Sequence, residues 1–296
     1  MDWNDLAYLL AAYRQRSLAG AARELRCDHT TVSRRLNALE SALGGRLFTR
    51  TPEGLTPTEL ADEIVPLAET IEATVRAIER RAAGHDQRVE GVVRVTTSET
   101  FATFIIKRLV ELRTRHPELI VQVLAENRVL DIARGEADLA LRFGETTHRD
   151  LVVRKLGEVH WGLYASKAYV ARRGRPSPAG ELRGHDVIGF DDTLAGIPGA
   201  RWLAAHADGT TVVFRGNSLR AVLEATLAGM GLTVLPCQLC DPEPELERLT
   251  PESLGSRTLC LVVHPELAKV ARVRAVIDFL AEITQRDRAA LLGAGP

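Results

Sequence analysis

The side chains of this 296-residue chain best suited to recognition chemistry are His29, Thr30, Thr31, Ser33, Arg34 and Asn37. At helical spacing they fall mostly on one face, opposite Val32, Leu36 and Leu39. Short hydrogen-bonding groups with an arginine among them suit base edges and phosphates in a DNA major groove. A face that is merely solvated more often carries long mixed charges, although any polar helix face shares part of this pattern. A second group sits at predicted strand ends: Thr97, Ser98, Glu99 and Thr100, then Asn127, Arg142-Phe143, Phe190 and Asn217-Ser218. Free amides at a helix start and a two-pronged guanidinium favour a carboxylate. Glu99 at the same place suits a zwitterion or a neutral polar molecule as well, and the bland reading is that such residues only cap helices.

Other reactive residues do not assemble. Cys237-Gln238-Leu239-Cys240 brings two thiols together, but no second pair or spaced histidines complete a four-ligand zinc site. The two read as buried thiols, with a redox pair as the alternative. His116, His185 and His264 show no spacing to a nucleophile, and neither GxSxG nor a P-loop occurs. An enzyme is not expected, nor a metal or cofactor.

The elements that must position these residues follow from apolar periodicity. Leu6, Leu9, Leu10 and Tyr13 predict a helix over 4–15; Ser17 caps a second, with Leu18, Ala21, Ala22 and Leu25 inward; Asp28 caps the third. Leu60, Ile64, Leu67, Ile71, Val75 and Ile78 then recur every three or four residues. This narrow seam in a charged surround predicts a helix that pairs with a second copy, kinked or loosened at Pro66. Gly84 to Gln87 reads as a break.

From Gly91 onward strands and helices alternate. Strands are expected at 92–96, 120–124, near 151–155, 159–164 and 186–190, and at 211–214, 232–235 and 259–263. Helices are expected at 101–115, briefly at 129–134, at 219–228 and at the C-terminus. Such alternation predicts parallel sheets covered on both faces, with ligands at the strand C-terminal ends.

Composition sets the outer bounds. A hydrophobic share of 45%, a charged share of 26% and a mean hydropathy of −0.05 describe a folded, water-exposed chain rather than a disordered one. No run approaches the roughly 20 apolar residues of a membrane span, and Met1 to Asp5 lacks the order of a signal peptide, so a cytoplasmic location without membrane contact is expected. The net charge of −1 excludes a wholly basic nucleic-acid coat. It divides into +2 over residues 1–57, where eight arginines and no lysine occur, and −3 beyond, which permits DNA contact at the front.

One ordered series is more specific than any of these. Ala21-Ala22, Val32-Ser33-Arg34, Leu39-Glu40, Leu43-Gly44, Arg46-Leu47-Phe48, Arg50-Thr51 and Leu55-Thr56 follow in register. The series resembles the N-terminus of LysR-type transcriptional regulators. Further on, Gly135-Glu136-Ala137-Asp138-Leu139-Ala140, Leu141-Arg142-Phe143-Gly144 and Gly229-Met230-Gly231-Leu232 with Leu235-Pro236 resemble that family's effector domain, so the likeness spans nearly the whole chain.

The resemblance implies a fold of three parts: an α-rich winged helix-turn-helix head over 1–58, a dimerising linker helix and hinge over 59–90, and an effector domain over 91–296. That last part is α/β and like the type 2 periplasmic binding proteins, two α/β subdomains around a cleft. The expected DNA-contacting residues are Ser17, His29, Thr30, Thr31, Ser33, Arg34 and Arg50. The expected effector contacts are Thr97, Ser98, Thr100, Asn127, Arg142, Phe143, Phe190 and Asn217. The partners implied are double-stranded DNA with a partly symmetric operator, a small-molecule effector (a carboxylate or zwitterion), further copies of the chain as a dimer of dimers, and RNA polymerase. The sequence departs from the family where His29 replaces a usual glutamine, where Glu59 replaces a typical glycine, and at a wing tip, Pro52-Glu53-Gly54, that lacks basic residues. Wing contact with phosphate then rests mainly on Arg50. The competing reading is a small-molecule carrier whose N-terminal module only dimerises.

Overall fold

The computed structural model describes the chain except residues 53, 84–87, 126–129, 133–134, 145–149, 177–181 and 295–296, and describes the backbone alone at 76–77 and 79–83. The chain divides into two compact units, Met1–Ala82 and Ala83–Pro296.

The first unit opens with three helices, α1 (Asp5–Gln15), α2 (Leu18–Leu25) and α3 (His29–Leu43). A hairpin of β1 (Phe48–Thr51) and β2 (Gly54–Pro57) follows, then the long α4 (Glu59–Ala83). Leu9, Ala12, Ala21, Val32 and Leu39 are fully buried where the three helices meet, and the two small alanines of α2 allow the close approach. Ser17 caps α2 as expected, its Oγ accepting from the Gly20 amide at 3.3 Å. Asp28 occupies the N-cap position of α3, but its exposed carboxylate accepts no capping hydrogen bond, which corrects the role expected of it.

Glu40 explains part of the ordered series. Its carboxylate accepts from the amides of Leu47 at 2.8 Å and Phe48 at 3.3 Å, tying α3 to the first wing strand. The backbone amide of Leu55 donates to the Arg16 carbonyl at 2.8 Å, so the second wing strand is held to the α1–α2 turn. Tyr13 donates to Asp62 at 2.8 Å and Arg14 to Glu72 at 2.8 Å, which fix α1 against α4. The helix runs on through Pro66 and packs Ala61, Val65 and Ala68 into the core. Of the predicted seam, Leu60, Ile64 and Ile71 are half-buried against that core. Leu67, Val75 and Ile78 are left 66%, 50% and 62% exposed.

The second unit begins β3 (Gly91–Thr97), α5 (Glu99–Ile106), α6 (Leu109–Arg115), β4 (Leu119–Ala125), β5 (Leu139–Phe143), β6 (Val152–Ser166) and α7 (Lys167–Arg173). It continues β7 (Asp186–Phe190), α8 (Pro198–His206), β8 (Thr211–Gly216), α9 (Leu219–Leu227), β9 (Thr233–Pro236) and α10 (Cys237–Cys240). It closes with β10 (Leu246–Arg248), β11 (Ser256–Val263), α11 (Ala271–Arg286) and α12 (Arg288–Leu291). Two lobes, each with its own core, share β6. One core holds Val95, Phe101, Leu139, Leu261 and Phe279; the other holds Leu163, Tyr169, Ile188, Val222 and Leu235.

Three expectations need correction. The strands near 151–155 and 159–164 are one strand, β6, whose early residues pair with β11 and whose late residues pair with β9 and β10. The seven-stranded sheet is mixed rather than parallel: β3 is parallel to β4 and β5, but β11 runs antiparallel to both β5 and β6, while β7 and β8 form a separate pair that is parallel as expected. The single helix expected over 101–115 is broken at Lys107-Arg108. There the Arg108 amide bonds the Ile105 carbonyl at 2.9 Å instead of the carbonyl of Phe104. The Arg108 guanidinium takes that Phe104 carbonyl at 2.6 Å, lies 3.7 Å over the Phe104 ring and reaches Asp287 at 2.5 Å. Of the short helix expected at 129–134, residues 130–132 are described and are not helical, and the other three lie outside the described residues.

Candidate nucleic-acid interface and ligand cleft

The exposed face of α3 forms a shallow groove with the start of α2 and the wing, lined by Leu18, His29, Thr30, Ser33, Arg34, Asn37 and Arg50. His29, Thr30, Arg34 and Asn37 are exposed, Thr31 and Ser33 half-buried. Arg50 donates to Ser33 Oγ at 3.2 Å, so wing and helix meet on one surface. Two adjacent arginines of α3 are used differently. Arg35 is tied back to Asp2 at 3.0 Å and Asp5 at 3.3 Å, with its guanidinium 6.0 Å from the Tyr8 ring centre. Arg34 is exposed and makes no ion pair among the described residues. Ser17, by contrast, spends its hydroxyl oxygen on the α2 cap.

In the second unit the two lobes enclose a cavity of about 290 Å³. Its walls come from the start of α5 (Ser98, Glu99, Thr100), the end of β5 (Leu141, Arg142, Phe143) and the start of α9 (Asn217, Ser218, Leu219). Val159 and Trp161 of β6, Arg257 of β11, and Pro236 and Gln238 at the β9–α10 junction complete it, with Thr193, Leu194 and Ile197 before α8. Ser98 stands at the N-cap of α5 without bonding it, so its hydroxyl is not committed to the helix. Ser218 does cap α9, accepting from Ala221 at 3.1 Å.

The cleft is lined by two arginines. Arg142 donates to the Leu130 carbonyl at 2.8 Å and Arg257 donates to the Phe143 carbonyl. Neither has a carboxylate partner among the described residues, and burial pushes both guanidinium pKa values below their usual range, with the charge of Arg201 adding to the effect at Arg257. Gly144 makes the reach of Arg257 possible: its φ is +96°, and a Cβ there would lie 3.1 Å from Arg257 Nη2. A desolvated cation without a counter-ion is stabilised by an arriving anion. Glu99 is exposed at the same opening.

Five of the eight expected effector residues therefore line one cavity: Ser98, Thr100, Arg142, Phe143 and Asn217. Thr97 is fully buried and does not line it, and Phe190 lines a separate open groove against α8. Asn127 lies outside the described residues. Cys237 and Cys240 are free and buried, and burial pushes both thiols up, away from thiolate chemistry. Among the described residues no cluster of His, Cys, Asp and Glu could hold a metal ion, and no helix is long and apolar enough to cross a membrane.

Comparison with known proteins decides the family. The model of the bacterial regulatory helix-turn-helix protein, lysR family, matches residues 3–62, and that of the LysR substrate binding domain matches residues 86–285. The chain belongs to the LysR family. It is a LysR-type DNA-binding transcriptional regulator with an effector-binding domain, and the family is not enzymatic. A transcriptional regulator of Xanthomonas campestris is 29% identical, with 94% of this chain and 84% of the relative covered. CrgA of Neisseria meningitidis is 27% identical, with 94% and 95% covered. Among solved structures, AphB of Vibrio cholerae superposes with a TM-score of 0.64 at 20% identity over 95% of this chain and 99% of its own. CrgA superposes with 0.58 at 24% over 95% and 98%. These likenesses carry the fold.

Within this LysR-type chain, sequence reasoning missed Trp161, Gln238 and Arg257 in the cleft. Arg257 precedes the strand read at 259–263 and Trp161 sits inside one read as ending at 164, so neither falls at a recognisable strand end. The register could have exposed Trp161 only once it was known to face Pro236.

Proposed function

We propose that this LysR-type regulator reads a partly symmetric operator through Thr30, Ser33, Arg34 and Arg50, with His29 and Thr31 beside them, as a dimer or dimer of dimers in the cytoplasm. A carboxylate or zwitterion in the cleft shifts the balance between two arrangements of the chains. The division is a DNA-binding head over 1–58, a dimerising linker over 59–90 and an effector domain over 91–296. The observation that carries the effector class is the pair of desolvated arginines, Arg142 and Arg257, without carboxylate partners among the described residues. The exposed Leu67, Val75 and Ile78 on α4 support the pairing of chains. A ligand can bias DNA binding only as far as it binds one arrangement better than the other.

The test compares small carboxylic acids with their uncharged amides. Acids are expected to raise the melting temperature of the full chain and their amides are not, because the amide brings no charge to the guanidinium groups. Equal stabilisation by acid and amide would contradict an anionic effector. RNA polymerase remains a proposed partner of the bound regulator.

A further inference from the structure

Two residues that line the cleft each carry a buried polar atom with no partner among the described residues, the indole Nε1 of Trp161 and Oε1 of Gln238. Trp161 is 3% exposed, and its N–H is a donor that can do nothing but donate. Its backbone is fixed on both sides, the amide donating to the Gly255 carbonyl at 3.0 Å and the carbonyl accepting from Leu254 at 2.8 Å. The ring is fixed as well. Its Cζ3–Cε3 edge packs against α8 at Gly199, where a Cβ would lie 3.0 Å from Cζ3 and 2.4 Å from the Val234 carbonyl. The N–H lies on the opposite edge of the indole, away from that contact. Gln238 follows two residues after Pro236, which faces Trp161 across the β6–β9 ladder, so the two groups belong to one wall.

A buried donor and a buried acceptor left unpaired are costly, and native interiors seldom tolerate them. A group at this wall that both accepts and donates would suit either atom, and a hydroxyl is the smallest such group. Resting on the reading of the cleft as the site of an anionic effector, we propose that the effector is a hydroxycarboxylic acid. Its carboxylate meets Arg257, and its hydroxyl accepts from the Trp161 N–H and donates to the Gln238 amide oxygen. Leu141, Phe143, Val159 and Ile197 take the apolar body of the molecule. The volume of about 290 Å³ is at the small end for ligand sites and selects a compact acid.

The experiment uses the full chain and matched pairs of acids that differ by one hydroxyl: mandelate against phenylacetate, 3-phenyllactate against 3-phenylpropionate, and 2-hydroxyisocaproate against 4-methylvalerate. Affinity is read by titration calorimetry. In at least one pair the hydroxy acid is expected to bind at least about 10-fold more tightly, since a site built around a hydroxyl penalises its loss. Trp161→Phe and, independently, Gln238→Leu are expected to remove that preference while the deoxy acid keeps its affinity. The second variant serves where the first perturbs folding. Arg257→Gln is expected to weaken both members of the pair. Equal or tighter binding of every deoxy acid would mean that water satisfies both groups, and the hydroxyl proposal falls while the anionic reading stands. A preference for the hydroxy acid that survives both wall variants also overturns it, as does the absence of binding by every acid. Indifference of both acids to Arg257→Gln strikes the anionic reading instead.

Discussion

Replacing Leu67, Val75 and Ile78 together by glutamate is expected to leave the protein folded but monomeric and to weaken operator binding on the order of 10³-fold. The three side chains are among the most exposed large apolar groups of the chain, at 66%, 50% and 62%, and recur along one helix. Their neighbours Ala61, Val65 and Ala68 already face the domain's own core, so α4 presents one apolar face inward and a second outward. Burying each outward side chain in a paired helix contributes about 1.5–3 kcal/mol. Three positions on each of two chains bring the total to roughly 10 kcal/mol before the cost of association is subtracted. Six introduced carboxylates facing one another reverse that. Sedimentation equilibrium measures the mass and a mobility-shift titration the DNA affinity, the large loss following because a monomer holds one half-site where a dimer holds two. An unchanged mass would place the dimer contact elsewhere.

The second large effect is expected at Arg34. Arg34→Ala should weaken operator binding by roughly 30-fold or more without lowering thermal stability. A guanidinium that reads a guanine edge contributes about 1–3 kcal/mol, and a two-fold symmetric complex uses it twice. The neighbouring Arg35→Ala supplies the contrast. Its side chain bonds Asp2 and Asp5 inside the head and lies near the Tyr8 ring, so its loss is expected to lower stability first. Circular dichroism melts beside the binding titrations separate the two. Equal affinity for the operator with and without Arg34 would remove α3 from the recognition surface.

The head was the most legible part of the sequence because its information is local. The spacing of Leu6 and Leu9, of Ala21 and Ala22, and of Val32, Leu36 and Leu39 sets three helices, and the polar face of α3 follows from what the apolar face leaves over. Even there a role could hide: Glu40 was visible as one letter of an ordered series, but its hold on the Leu47 and Phe48 amides is a contact between elements. In the second unit, strand and helix types could be read, but chain crossings could not. Both lobes share β6, a strand of 15 residues whose middle supplies Val159 and Trp161 to the cleft. Arg257 arrives from β11, more than 100 residues after Phe143, whose carbonyl it binds. The break in the helix at Lys107-Arg108 is of the same kind, since the Arg108 guanidinium there pairs with Asp287 near the far end of the chain. Periodicity records which face is buried, and it is silent about which distant residue does the burying.

The central claim is that the α3 face recognises particular bases and that the cleft ligand changes this recognition. The most direct measurement titrates the full chain, at fixed salt, against a duplex from the promoter region upstream of its own gene and against a scrambled duplex of equal length and composition. The titration is then repeated with the tightest-binding acid. The expected result is a preference for the promoter duplex of about 10³-fold or more, changed by the acid in wild-type protein and unchanged by it in Arg257→Gln. Equal, weak binding to both duplexes would contradict the account.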